Sequence, residues 1–473
     1  MDREPSSRGD DGEFSGPLLR AVLVASFGSL LLNLSATSVN VAIDQLMARF
    51  DAPLSTAQWI ITGYLLALAF VLPAFRWTVE RLGSRRLYVA CLLGFTATSA
   101  LCACAWSVES LIAFRILQGA VGGLLSPLTQ TLAAQLAGPK RMGRAIAIMS
   151  VPILVAPLLG PTLGGLIIEH LSWRWLFVVN APLGATGAWL ALRHLPAGTS
   201  AKKRTRLDVV GLALLSPGVG LFTYAVSLVG HERAISTTAV ITAAAAAALV
   251  TTFVLDARRR PTTALIDLRL FKNARFDAAL GAHLVTAFGE FGAQLMLPLY
   301  YQQVRGQTAM ATGMLLAPQG LGMLATLPRA GKLADRVNIG KLVAAGVLMT
   351  LVGTFAFTQV TDHTSYLLLG VSLVLRGAGL GATAAPALSA AYKQLPIEDI
   401  PNGTATINIV QRLGAPLGTA TMAMTLQWFA ARGADAHAPI ADAFGSAFAV
   451  CAASSSLALI AAFVLARPAK PSG

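Results

Sequence analysis

Fourteen apolar stretches of about 20 residues each, separated by short polar or charged runs, account for almost the whole chain. They fall at 19–43, 57–76, 87–106, 109–131, 144–168, 174–193, 208–229, 236–256, 275–300, 308–329, 340–360, 365–390, 402–428 and 442–466. Each is long enough to cross a hydrocarbon core of roughly 30 Å as a helix, and a helix satisfies its own backbone inside lipid. The pattern predicts an all-α integral membrane protein with 14 transmembrane helices. An even number of crossings puts both chain ends on one side.

Composition agrees with that reading. Hydrophobic residues make up 55% of the chain and charged ones 12%, against about 25% charged in ordinary soluble domains. The formal charge of +14 is unevenly placed. Of 36 Lys and Arg, 28 fall in the N-terminal run, the even-to-odd loops and the C-terminal run, whereas the opposite loops hold only Arg49, Arg174, Arg233, Arg305 and Arg432. The positive-inside rule then sets both termini in the cytoplasm, and the charge is explained without nucleic acid. The N-terminal MDREPSSRGDDGEF lacks a cationic start followed by a short apolar region, so no cleavable signal is predicted and span one acts as an uncleaved anchor. Cys91, Cys102, Cys104 and Cys451 lie in apolar spans without metal-ligand spacing and read as small packing residues.

An internal repeat sets the organisation. Arg76–Arg86 follows span two and Gly331–Lys341 follows span ten; both carry an acid, then Arg, then Gly and further basic residues. The offset of eight spans fits two six-span halves with two spans inserted between them, a parallel-repeat transporter plan. The predicted parts are a cytoplasmic tail 1–18, a six-helix bundle 19–193, an inserted two-helix segment with basic linkers 194–274, a second six-helix bundle 275–467 and a tail 468–473.

Ionisable residues at bilayer depth are costly and tend to be functional. Here they are Arg115, Glu290, Arg376 and Arg412, with His283. Glu290 is the one carboxylate deep inside a span, roughly 22 Å from the start of span nine, and His283, Glu290 and Gln294 share one helical face by their spacing. Glu290 is a candidate proton carrier, with a structural Arg pair and a substrate contact as the alternatives. Arg376 and Arg412 serve either as anchors or as cavity lining. Three interior Arg against one Glu suit a cavity that accepts neutral, zwitterionic or anionic amphiphiles. Asn33, Thr37 and Asn40 form a polar stripe on span one; Gln58, Tyr64, Tyr300, Tyr301, Gln302, Gln319, Asn408 and Gln411 are further cavity candidates, each otherwise an interhelical hydrogen bond. Gly119/Gly123, Gly160/Gly164 and Gly414/Gly418 predict close helix contacts. Gly160-Pro161-Thr-Leu-Gly164-Gly165 adds a kinked, tight stretch in span five that seals one side. Glu80, Arg81, Gly83, Arg85, Arg86, Asp335 and Arg336 form a charge latch or mere topology signals.

These motifs, in order along nearly the whole chain, resemble the major facilitator superfamily, in particular its fourteen-span drug:proton antiporter branch. The family's loop motif maps onto Arg76 to Arg86, with Arg76 where the family has Gly and Glu80 where it has Asp; the second copy, with Gly331, Asp335 and Arg336, is nearer the pattern. Arg115, Gln118 and Gly119 match the fourth-span motif, and Gly160, Pro161, Gly164 and Gly165 the antiporter motif. Ser172–Gly184 and Leu297–Gly322 resemble this branch specifically. The branch often carries an acid at the position of Ser35, so its absence counts against a dication substrate. The resemblance implies a proton relay role for Arg115, the alternative being that it bonds backbone carbonyls of span one and holds that half together, and a secondary active exporter of amphipathic drugs or toxic metabolites in exchange for protons, in the cytoplasmic (inner) membrane. Alternatives are a proton-coupled transporter of one endogenous metabolite and a lipid flippase. No catalytic His/Asp cluster and no phosphate-binding G-x-x-x-x-G-K-[ST] loop is present, so an enzyme is not predicted. The coupling ion is the proton, with no other cofactor. Expected partners are a small-molecule substrate and the bilayer, and either an outer-membrane or adaptor protein or none, leaving a monomer.

Overall fold

The computed structural model describes residues 16–138, 141–196, 208–232, 236–260, 264–435 and 439–467. Residues 1–15 of the first expected tail, the whole of the second and most of the first basic linker lie outside the described residues, while 16–18 belong to the first helix. Among these residues every regular element is helical. The long helices are α1 Gly16–Val41, α2 Trp59–Leu82, α3 Ser84–Ala103, α4 Val108–Ala137, α5 Met142–His170, α6 Trp175–His194, α7 Val209–Glu232, α8 Thr237–Arg259, α9 Ala274–Leu299, α10 Ala309–Ala334, α11 Ile339–Gln359, α12 Tyr366–Lys393, α13 Ile400–Asp435 and α14 Ile440–Ala466. Eleven are long and apolar enough to cross a membrane by length and composition. α5, α9 and α13 complete the fourteen. α9 and α13 are as long as the rest but carry Asp277, His283 and Glu290, and Asn402, Asn408, Gln411 and Arg412, respectively.

Polar caps start the helices where apolar sequence begins. Ser107 and Ser110 form a reciprocal capping box at α4, at 3.2 and 3.0 Å. The Asn273 side chain accepts from Arg275 N and Phe276 N ahead of α9, and Thr308 from Ala311 N ahead of α10. Each removes an orphan N–H from the first turn. Two stretches read as loops prove to be helix. α2 runs on through Arg76–Leu82 and stops at Gly83, whose φ of +79° breaks the chain before α3. α10 likewise includes Gly331–Ala334, with Asp335 as its C-cap. Hydropathy marks the hydrocarbon edge, and these amphipathic last turns extend past it.

The two halves share one pairing scheme. α1 packs on α5, α2 on α4 and α3 on α6; eight helices later α9 packs on α13, α10 on α12 and α11 on α14. α7 and α8 pack on each other, and α7 also touches both α2 and α13. The inserted pair therefore stands against the line where the halves meet.

Candidate functional site

The basic end of the bundle is shut. α5 of the first half crosses α10 of the second at Gly143 and Gly331, where a Cβ on either would strike the other's carbonyl oxygen. Beside that crossing, the Asp335 carboxylate accepts from Gly143 N at 3.0 Å and Arg144 N at 3.2 Å, and pairs with Lys393 Nζ at 3.2 Å. An anion thus sits on the N-terminus of α5, where the helix dipole favours it. A joint apolar core of both halves, including Met149, Leu280, Leu388 and Ile407, lies at this end. Above it runs a polar seam: Gln130 Oε1 accepts from Asn408 Nδ2 at 2.8 Å and from the Tyr392 hydroxyl at 3.2 Å, and Thr131 bonds Thr404 at 3.1 Å. Glu80 pairs with Arg76 one turn back, at 2.8 Å, so the first-half acid is engaged by the residue that departs from the family pattern.

A cavity of about 890 Å³ begins at this seam and extends to the level of Gln303, Gln427 and Ile440 at the other end. Of the residues expected to face such a space, Asn33, Asn408, Gln411 and Arg412 line it. Others are used in packing: Ser35, Tyr64, Tyr300 and Arg376 are buried at 2% exposure or less, Tyr300 by donating to Thr361 O at 2.8 Å. Tyr301 is buried too and stacks on Tyr366. Thr37 turns back to the Asn33 and Leu34 carbonyls of its own helix. Gln58 stands at the N-terminus of α2, and Gln294 and Gln302 are exposed away from the lining. The side chains of Asn40, Gly160 and Pro161 lie outside the described residues. α5 remains helical through Gly160–Gly165; Gly164 rests on Ser38 of α1, where a Cβ would meet the backbone oxygen at 3.1 Å, while Gly165 has open space.

α9 presents Phe291, Leu295 and Leu299 to the cavity, a stripe four residues apart. The His283–Glu290–Gln294 face therefore points elsewhere. The remaining wall includes Thr62, Ser126, Gln130, Thr223 and Thr419, which the sequence did not single out. Their signal was slight: short polar side chains dispersed singly in apolar helices.

Two guanidinium groups are walled into the halves at matching places. Arg115 on α4 donates to Ile60 O of α2 at 3.2 Å, to Ser35 Oγ of α1 at 3.4 Å and to Gln118 Oε1 at 2.6 Å, and lies 3.9 Å from the Tyr64 ring centroid. Gln118 in turn donates to Ser99, and Asn180 to Ser35. Arg376 on α12 donates to Gln319 Oε1 of α10 at 2.7 Å and to Gly289 O of α9 at 3.3 Å. Since α1 and α2 correspond to α9 and α10, the frames match. They differ in charge: the first-half position beside Arg is Ser35, while the second half has Glu290 next to Gly289, close enough to Arg376 to act on it electrostatically. His283 lies beside Gln411 of α13. Arg412 has neither a hydrogen bond nor an ion pair to any described residue.

A sequence model for the Major Facilitator Superfamily matches residues 25–419 and 279–473. The Multidrug resistance protein B homolog of Mycobacterium tuberculosis (strain ATCC 25618 / H37Rv) is 37% identical over 434 residues, covering 90% of this chain and 80% of the relative. The Multidrug export protein EmrB of Haemophilus influenzae is 28% identical over 416 residues, covering 88% and 81%. The proton:xylose symporter XylE superposes with a TM-score of 0.65 at 15% identity over 95% of each chain, a likeness of fold.

Proposed function

This chain belongs to the Major Facilitator Superfamily, and from that premise we propose that it exports amphipathic small molecules in exchange for protons by alternating access. The observation that carries the reading is the cavity of about 890 Å³ between the halves, sealed at the basic end and extending to the other. Taken with the basic end as the cytoplasmic one, this is an outward-facing transporter in the inner membrane. Rocking of the halves would undo the Gly143–Gly331 crossing and the Asp335 cap and bring Gln130, Asn408 and Arg412 into contact with the inside. The names of the relatives above support drug-like cargo.

The proton is carried by Glu290. It is the carboxylate at membrane depth, half-buried beside Arg376, without a direct ion pair to any described residue. A carboxylate so placed can take a proton from one side and lose it to the other as the field of Arg376 shifts with the helices around it. Arg115, with no acid beside it among the described residues, holds α1, α2 and α4 together and keeps that half positive. His283 and Gln411 form the link from the proton face of α9 to the cavity wall.

Everted vesicles carrying the protein test this. A panel of cationic, neutral and anionic amphiphiles is added under a proton gradient while a pH-sensitive dye is followed. Substrate-induced proton release by the parent, lost in Glu290→Gln, is expected. Release of equal size in both variants would remove Glu290 from the coupling.

A further inference from the structure

The cavity wall carries one charge. Among its described lining residues Arg412 is the sole ionisable side chain, and no Asp or Glu faces the space. Arg412 is also the one interior guanidinium without a polar partner: Arg115 is held by Ile60, Ser35 and Gln118, and Arg376 by Gln319 and Gly289. It stands about 18 Å along α13 from Ile400, at mid-membrane depth, and faces the first half closely enough to act on Tyr64, whose ring Arg115 also covers. Two guanidinium groups thus flank one phenol with no carboxylate between them. The acid of this depth, Glu290, is directed to Arg376.

We propose that the cavity selects amphipathic organic anions, with a carboxylate headgroup held by Arg412 and a hydrocarbon body laid along Leu65, Leu66, Phe291 and Leu295. The proposal rests on the reading of this cavity as the transport site and names the cargo it takes. A guanidinium presents its donors in a planar fork that matches a carboxylate. Gln411, one residue before it, faces the same space and adds an amide donor. The apolar stripe on α9 begins at the neighbouring wall.

Closure makes the selection. While the cavity is open, water solvates Arg412. When the halves close around cargo that water leaves, and an unpaired guanidinium at this depth is costly. A carboxylate offsets the cost; a neutral molecule leaves it in full, and a cation adds repulsion. The occluded state is therefore reached most easily with an anion bound.

The test uses the full-length protein in nanodiscs without a pH gradient, with empty nanodiscs subtracted. Dodecanoate, dodecanamide and dodecyltrimethylammonium share a tail and differ in headgroup charge. Their Kd values are read by displacement of a fluorescent dansylamino-undecanoate. Dodecanoate is expected to bind at least about tenfold tighter than dodecanamide, the effect of one hydrogen bond to a charged group. Arg412→Gln should erase that ratio, weakening dodecanoate and not dodecanamide, and Arg412→Lys should restore part of it. Ala415→Glu keeps Arg412 and puts a carboxylate on the next turn of the same wall; it should lower the ratio as well, and covers the case in which Arg412→Gln does not fold. Tightest binding of the cation, or a ratio that none of the variants moves, overturns the proposal. Because binding is measured without a gradient, a failure of proton coupling leaves this result intact, and the reverse also holds.

Discussion

Replacing Asp335 by Ala should open the basic end of the protein. The carboxylate accepts from two backbone N–H groups at the start of α5 and pairs with Lys393, and its side chain is only 10% exposed. Loss of an N-terminal cap costs about 1 kcal/mol, loss of a charge at the helix dipole about 0.3–1 kcal/mol and loss of a partly shielded ion pair up to about 1 kcal/mol. Together that is about 2 kcal/mol, or about a 30-fold shift in the ratio of closed to open. The assay is thiol accessibility. With Cys91, Cys102, Cys104 and Cys451 replaced, Met149→Cys puts a thiol in the joint core at a site now 3% exposed. A hydrophilic maleimide should label it about 30 times faster in Asp335→Ala, with Asp335→Asn in between. Gly331→Val should speed labelling by a separate route, since its side chain would collide with the Gly143 carbonyl. A change below about threefold for Asp335→Ala, about 0.6 kcal/mol, would refute the assignment of this carboxylate as the closure of that end.

Two further predictions concern stability. Arg115→Met should destabilise the protein by about 3 kcal/mol, because the buried Ile60 carbonyl and Gln118 amide oxygen each lose a donor; thermal unfolding in detergent would show it, Arg115→Lys should recover less than half, and a Met variant within about 1 kcal/mol of the parent would contradict the network. In the linker after α8, burial alone would raise the Asp267 carboxyl, but the Arg269 guanidinium and N–H bonded to it hold it below the usual carboxylate range. A depressed folded value gives stability that is present above the unfolded pKa of about 3.9 and fades as pH falls toward the folded one, so proteolysis of this linker should be unchanged by pH from 5 to 8 and rise only below about 4, a dependence removed in Asp267→Asn.

The membrane crossings were legible because lipid imposes the same demand on every one of them: about 20 apolar residues with an internally bonded backbone. The glycine pairs were legible too. Gly119 lies on the Tyr64 carbonyl and Gly418 on that of Phe288, so spacing of four reported real backbone contacts. Helix ends were less so, since Arg76–Leu82 and Gly331–Ala334 are amphipathic turns beyond the hydrocarbon. The cavity was legible only in part. Periodicity tells which residues share a face, as it did for His283, Glu290 and Gln294, but not what that face meets; the cavity took the Phe291–Leu295–Leu299 side of α9 instead. Partners far apart in sequence left no trace, such as Gln130 with Asn408, 278 residues on.

The inserted pair makes the two edges of the molecule mechanically unequal. At its far end the pair is tied to the second half, because Asp267 N donates to Asn402 Oδ1 at the start of α13. α7 also lies along α13, with Thr223 and Val226 forming part of the cavity wall. On the other side it meets α2 through smoother surfaces: Tyr224 stacks on Trp59 with centroids 6.0 Å apart, and Gly220 faces Phe70 at 3.9 Å. An aromatic stack and a glycine face can slip without breaking a hydrogen bond. The inserted pair is thus hydrogen-bonded to the second half and joined to the first by apolar packing that includes Ala69, Leu72, Leu215 and Val219, so if the halves rock, the line between α2 and α7 is the one along which they would slide.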